Sequence, residues 1–180
     1  MPTIRKLPPG FSEFDLTLLQ VETTVDFNIY IWPQSSSAPV LYRDKNTEFL
    51  DEHKKKLAEA DAKVYVRSDD TKTLNRYVER NLDRIIADPA IPAQQKAKVL
   101  YRSSLMMVQD LLEKPESPEN FKRSEDVVRS TISYILQGRA AFHQLMSLTS
   151  YDYNTYTHSV NVCTIGLALA EQVGLRSQGE

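Results

Sequence analysis

The chain has 180 residues, 41% hydrophobic and 26% charged, with 22 Lys and Arg against 24 Asp and Glu for a formal net charge of −2. That composition belongs to a folding chain of one ordinary domain or two small ones, and its charge balance removes a nucleic-acid duplex and an anionic membrane from the default partners. The single cysteine, Cys163, excludes an internal disulfide framework, and the opening Met1-Pro2-Thr3-Ile4-Arg5-Lys6-Leu7 lacks the apolar core of a signal peptide, so a cytoplasmic protein is expected.

Taken in chain order, the first half reads in twos. Phe14, Leu16 and Leu18 alternate with Asp15 and Thr17, and Val25, Phe27, Ile29 and Ile31 alternate with Asp26, Asn28 and Tyr30, which predicts two strands joined by a hairpin turn at Glu22-Thr23-Thr24. The stretch from Pro33 to Pro39 is a polar loop, and Pro39 to Arg43 a short third strand. Asn46 or Thr47 is placed to cap a helix running to about Ala60, in which the basic triplet Lys54-Lys55-Lys56 lies among Asp51, Glu52 and Glu59 as a solvated face. Ala62 to Arg67 is a fourth strand. A helix opened by Ser68 then carries Leu74, Tyr77, Val78, Leu82, Ile85 and Ile86 on one stripe and stops at Asp88-Pro89.

From Pro92 onward the period is helical. Ala97, Leu100, Tyr101, Ser104, Leu105, Val108, Leu111 and Leu112 recur at three and four; Ser117-Pro118 opens a further helix whose inward face is expected to be Phe121, Val128, Ile132, Ile135 and Leu136, ended by Gly138. A shorter helix covers Arg139 to Thr149 with Phe142, Leu145 and Met146 inward, and a last one runs from near Asn154 to near Gly174. The predicted fold class is α+β: a small N-terminal sheet-and-helix domain of about four strands and two helices over residues 1–90, connecting helices over 91–149, and the start of a helical bundle over 150–180.

Glycines at 10, 138, 166, 174 and 179 cannot build a phosphate-cradling loop. The chemistry-bearing candidate is His158, a lone imidazole in an uncharged helical run from Tyr153 to Ala170. It shares a helical face with Asn154, Asn161, Val162 and Ile165, opposite Val160, Thr164 and Leu167, so the helix is apolar nearly all round, the pattern of a helix buried in a bundle. By spacing alone, a hydrogen-bonded core histidine and a metal ligand both remain open, because one histidine never defines a site. His53 and His143 are isolated. Tyr151, Tyr153 and Tyr156 either pack the entrance to the last helix or stack on a base, and Arg43 and Arg67 either pair with local acids or bind phosphate.

The string Tyr156-Thr157-His158-Ser159-Val160-Asn161-Val162 resembles the opening helix of the HD-GYP domain, a metal-dependent phosphohydrolase that cleaves cyclic di-GMP. The resemblance implies that His158 is the first metal ligand, with a His-Asp pair, two histidines, an aspartate and a Gly-Tyr-Pro motif on later helices. It also implies a divalent metal pair, iron or manganese, that activates a water against a phosphodiester. Some members add a third metal through a glutamate at the position of Asn154. The motif matches Ser150 to Leu175 only, and the later donors are absent from these residues. The expectation is therefore the N-terminal regulatory part of a bacterial HD-GYP phosphodiesterase. The longer parent would act on cyclic di-GMP; these 180 residues alone would be inactive and hold no tight metal, with a homodimer through the helical region as the expected protein contact. The course from Phe14-Asp15-Leu16 to Leu100-Tyr101 is similar to the region preceding HD-GYP domains that lack a receiver domain. The rival readings are a non-catalytic signalling scaffold of the HDOD kind and a stand-alone ligand sensor.

Overall fold

The computed structural model describes residues 7–148 and 155–174. The fold is α+β and separates into two compact units, residues 1–81 and 82–180.

Among the described residues the first unit contains six short strands: β1 (Phe11–Phe14), β2 (Thr23–Val25), β3 (Ile29–Ile31), β4 (Val40–Arg43), β5 (Thr47–Phe49) and β6 (Val64–Arg67). Four form an antiparallel sheet in the order β1-β6-β3-β4, and β2 pairs with β5. The hairpin expected at Glu22 to Thr24 is not formed. Asp15 accepts hydrogen bonds from the Thr17 amide (2.9 Å) and hydroxyl (2.7 Å), and this local capping winds Leu16–Leu18 into one 3₁₀ turn where alternation predicts a strand. With Glu22 in the left-handed region (φ 58°), the chain turns away and β1 finds its partner in β6, Phe11 opposite Arg67 and Phe14 opposite Val64.

Helix α1 (Asp51–Glu59) begins later than Asn46 or Thr47 would start it, because Asn46 takes a left-handed turn (φ 61°) and Thr47 enters β5. Lys55 pairs with Asp51 at 2.6 Å and Lys56 lies 3.9 Å from Glu52 on the solvated face that the sequence suggests, whereas Lys54 departs from it: half-buried, its ammonium donates to the distant Leu19 carbonyl at 2.8 Å. Helix α2 (Thr71–Arg80) ends at Asn81, whose side-chain amide donates to the Tyr77 carbonyl at 2.8 Å. The core of this unit is Leu19, Val25, Phe27, Ile29, Phe49, Val64, Val66, Leu74 and Tyr77. An edge-to-face chain runs through it, Phe14 to Phe27 at 5.9 Å and Phe27 to Tyr77 at 5.6 Å.

The second unit is helical: α3 (Leu82–Ala87), α4 (Ala93–Glu113), α5 (Pro118–Ile135), α6 (Arg139–Met146) and α7 (Thr155–Gln172). Helix α4 contacts each of the other four, and its buried face is Lys96, Ala97, Leu100, Ser103 and Met107. Helix α5 departs from expectation. It buries Asn120, Val127, Ser130, Thr131, Tyr134 and Ile135, and leaves Phe121 (60% exposed), Val128, Ile132 and Leu136 (54% exposed) at the surface. The polar groups on the buried side are all answered. Asn120 donates to the Asp110 carbonyl (2.9 Å), Ser130 to Asp83 (2.5 Å), Thr131 to the Val127 carbonyl (2.8 Å) and Tyr134 to the Ala93 carbonyl (2.8 Å). Burial of satisfied polar groups costs little, so the large Tyr134 ring selects the face that enters the core.

The α4–α5 hairpin is closed by a polar clamp, in which Arg123 donates to the Asn120 side-chain carbonyl (2.9 Å) and to the Asp110 carboxylate (3.1 Å). Asn120→Ala removes the Arg123–Asn120 bond and one of the two bonds to the Asp110 carbonyl, which keeps the Lys114 amide at 3.0 Å, while Arg123 keeps the Asp110 carboxylate; the expected loss is about 1–2 kcal/mol. Chemical denaturation followed by helical circular dichroism checks this, and a change below about 0.5 kcal/mol would show the clamp to be incidental.

Candidate functional site

Helix α7 carries His158. Thr157, Val160, Thr164 and Ala168, spaced at three and four, form its buried side, and the helix packs on α4, α5 and α6. Thr164 returns its hydroxyl to the Val160 carbonyl at 2.9 Å, and the Tyr101 hydroxyl on α4 meets the Asn161 side-chain oxygen at 3.3 Å. The Tyr101–Asn161 contact and the burial of Thr157, Val160, Thr164 and Ala168 set the rotation of α7 about its axis. That rotation turns His158 to solvent, together with Val162 (54% exposed), Ile165, Leu169 (58% exposed) and Val173. The helix expected to be covered on all sides is thus covered on one, with the imidazole at the N-terminal end of a solvent-facing apolar stripe.

The other sequence candidates lie apart from this stripe. His143 is exposed on α6, its ring 5.9 Å from Phe142. Arg43 donates to the Glu48 carbonyl at 3.0 Å, tying β4 to β5, and Arg67 is exposed at the end of β6. Tyr156 is half-buried; Tyr151, Tyr153 and Asn154 lie outside the described residues. Among the described residues, no group of three or more His, Cys, Asp or Glu comes together. One imidazole does not fit a metal pair, which needs several anionic and imidazole donors.

His53 has a structural task. Its Nδ1 accepts the Leu50 amide at 3.0 Å, answering an orphan donor at the N-terminus of α1, while Tyr42 donates to the His53 carbonyl at 3.4 Å. An acceptor at Nδ1 requires the neutral ring. Burial, then the Arg43 guanidinium and the Lys56 ammonium, hold its pKa below the ordinary imidazole value, with Glu52 opposing them. Below about pH 6.5 the unfolded chain therefore binds the proton more readily than the folded one, so stability present above that pH is lost as pH falls toward the lowered folded value. The expected result is a denaturation midpoint, read from Trp32 fluorescence in the first unit, that drops between about pH 7 and 5. His53→Gln, which keeps an acceptor at this position without titrating, should flatten that drop. An unchanged slope in the variant would assign the pH dependence elsewhere.

What fold and surface define together is a two-unit α+β protein whose helical unit includes a helix presenting an imidazole beside a solvent-facing apolar stripe. No family model and no curated protein matches the chain. Among solved structures, the fold is similar to that of Bd1817, an HDG"Y"P protein from Bdellovibrio bacteriovorus, with a TM-score of 0.54 and 22% identity. The match covers 93% of this chain and 55% of that one, so this chain spans about half the length of its neighbour. Among the described residues no helix is long and apolar enough to cross a membrane.

Proposed function

We propose that this chain forms the N-terminal regulatory unit and the opening bundle helix of an HD-GYP-type cyclic di-GMP phosphodiesterase, with His158 as the first metal ligand. The observation that carries this reading is the orientation of α7, which anchors one side in the bundle and turns His158 and an apolar stripe outward. An apolar face of that size on a helix otherwise committed to packing is what further helices of the same bundle would cover. The string from Tyr156 to Val162 and the shared fold support the same reading. In it, the remaining donors and the hydrolytic chemistry belong to helices of a longer protein, and the first unit, on its own core, serves as an input or dimerisation module.

The chain's own residues contribute placement. Thr157, Val160, Thr164 and Ala168 hold α7 against its neighbours, and the Tyr101–Asn161 contact fixes which way the imidazole faces. Two measurements test the proposal. Metal analysis of the purified 180-residue chain should find well under one equivalent of tightly held iron, manganese or zinc; stoichiometric metal lost in His158→Ala would refute the assignment of the other donors to a longer protein. A longer protein containing this chain should hydrolyse cyclic di-GMP when supplied with ferrous or manganous ion. Absence of hydrolysis under both metals would favour the non-catalytic scaffold instead.

A further inference from the structure

Helix α5 exposes Phe121, Val128, Ile132 and Leu136, which at 100° per residue fall within a sector of about 80°. The stripe runs from Phe121 near the start of the helix to Leu136 at its C-cap, about 22 Å along the axis. Isolated apolar side chains at a surface need no explanation, whereas an apolar stripe carrying charge at fixed places, here Glu125 within the sector between Phe121 and Val128 and Arg129 at its edge, marks an interaction surface. The bundle does not use this stripe, because the opposite face of α5 already carries Tyr134, Ile135 and Val127 into the core.

The rim says what would fit. Glu119, Glu125 and Asp126 make the N-terminal half of α5 acidic, opposed at the surface by Lys122, since Arg123 is held by Asp110 at 3.1 Å. From Val127 to Leu148 there is no acidic residue, and the charged side chains near the stripe are Arg129 and Arg139. The stripe is therefore polar along its length, acidic at one end and basic at the other. A parallel copy would set like charge on like. An antiparallel copy, related by a two-fold axis near Val128, would set Phe121 against the partner's Leu136 and Arg129 beside the partner's Glu125 and the partner's Asp126, each contact occurring twice. The exposed Arg129–Asp126 pair within one helix, at 3.9 Å, is weak enough to be exchanged for this. The outward face of α7 has no such device, being uncharged from Thr155 to Ala170.

We propose that α5 is a self-association surface, on which a second copy of this chain docks antiparallel through Phe121, Val128, Ile132 and Leu136 with Arg129 and Glu125 fixing its direction. One helix face offers a few hundred Å² per protomer, at the small end of specific interfaces, so a concentration-dependent monomer–dimer equilibrium in the micromolar range is expected. This surface does not depend on the phosphodiesterase reading.

Sedimentation velocity of the 180-residue chain across about 1–200 μM tests it, the range being set by the affinity expected of so small a contact. The wild type should shift from monomer toward dimer. Val128→Glu should remain monomeric over the range, and Ile165→Glu on α7 should dimerise as the wild type does. Glu125→Arg and Arg129→Glu should each weaken the dimer by about tenfold, and the doubly reversed chain should recover it. The reversal series decides the matter even if Val128→Glu does not fold, since its positions are exposed. A monomer throughout, a dimer abolished by Ile165→Glu but not by Val128→Glu, or a doubly reversed chain that stays weak would each overturn the proposal.

Discussion

Replacing His158 by alanine in a longer protein containing this chain should abolish hydrolysis of cyclic di-GMP and lower bound metal, while leaving the fold of the 180-residue portion unchanged. His158 is exposed on α7 and the packing of that helix rests on Thr157, Val160, Thr164 and Ala168, so truncation of the imidazole removes no core contact. Changing residues that merely orient metal ligands costs about 10–100-fold in affinity or activity. Loss of a ligand itself should therefore exceed about 100-fold, read as initial rates at saturating ferrous or manganous ion alongside metal content by atomic spectroscopy. A variant with near-native rate and metal content would remove His158 from the site, and with it the strongest sequence argument for the proposed activity.

Truncating Tyr77 to alanine should have the largest effect on stability. The side chain is 1% exposed, its hydroxyl accepts the Gln20 amide at 2.9 Å and shares a 2.6 Å hydrogen bond with the Thr23 hydroxyl, and its ring meets Phe27 edge to face. Removing a buried aromatic ring typically costs about 3–5 kcal/mol, and here a polar network loses its hub as well. Domain stabilities are about 5–15 kcal/mol, so the first unit of Tyr77→Ala should be largely unfolded in mild denaturant. Tyr77→Phe separates the two contributions: it keeps the ring and leaves the Gln20 amide unanswered, at an expected cost of about 1–3 kcal/mol. Trp32 is the only tryptophan and lies in this unit, so its fluorescence reads the transition without interference from the helical unit. A shift below about 1 kcal/mol for the alanine variant would mean that the ring is not the keystone its burial indicates.

Much of the fold was legible because period and burial agree where a segment has one apolar side. Leu74, Tyr77, Val78, Leu82, Ile85 and Ile86 are all buried, although the one helix expected to carry them is broken at Asn81 into α2 and α3, and strands form at Val40–Arg43 and Val64–Arg67 within the segments expected to be strands. The apolar pattern misleads at Leu16–Leu18, where side-chain capping by Asp15 outweighs alternation, and at α5, where the more apolar face is the exposed one. Both failures have one cause. A pattern of apolar residues cannot show which polar groups will find partners, and Asn120, Ser130, Thr131 and Tyr134 find theirs on other helices or one turn away. The capping role of His53 was equally hidden, although a residue able to accept at the third helical position is the signal that could have found it.

Sequence by itself determined the α+β class, the helical second half and the choice of His158 as the residue to explain, since these depend on residue types and their period along one chain. Tertiary structure alone decided strand pairing, the inward face of α5 and the solvent-facing side of α7. Those depend on which surfaces meet, and the free energy of meeting is set by shape and by hydrogen bonds between residues far apart in the chain.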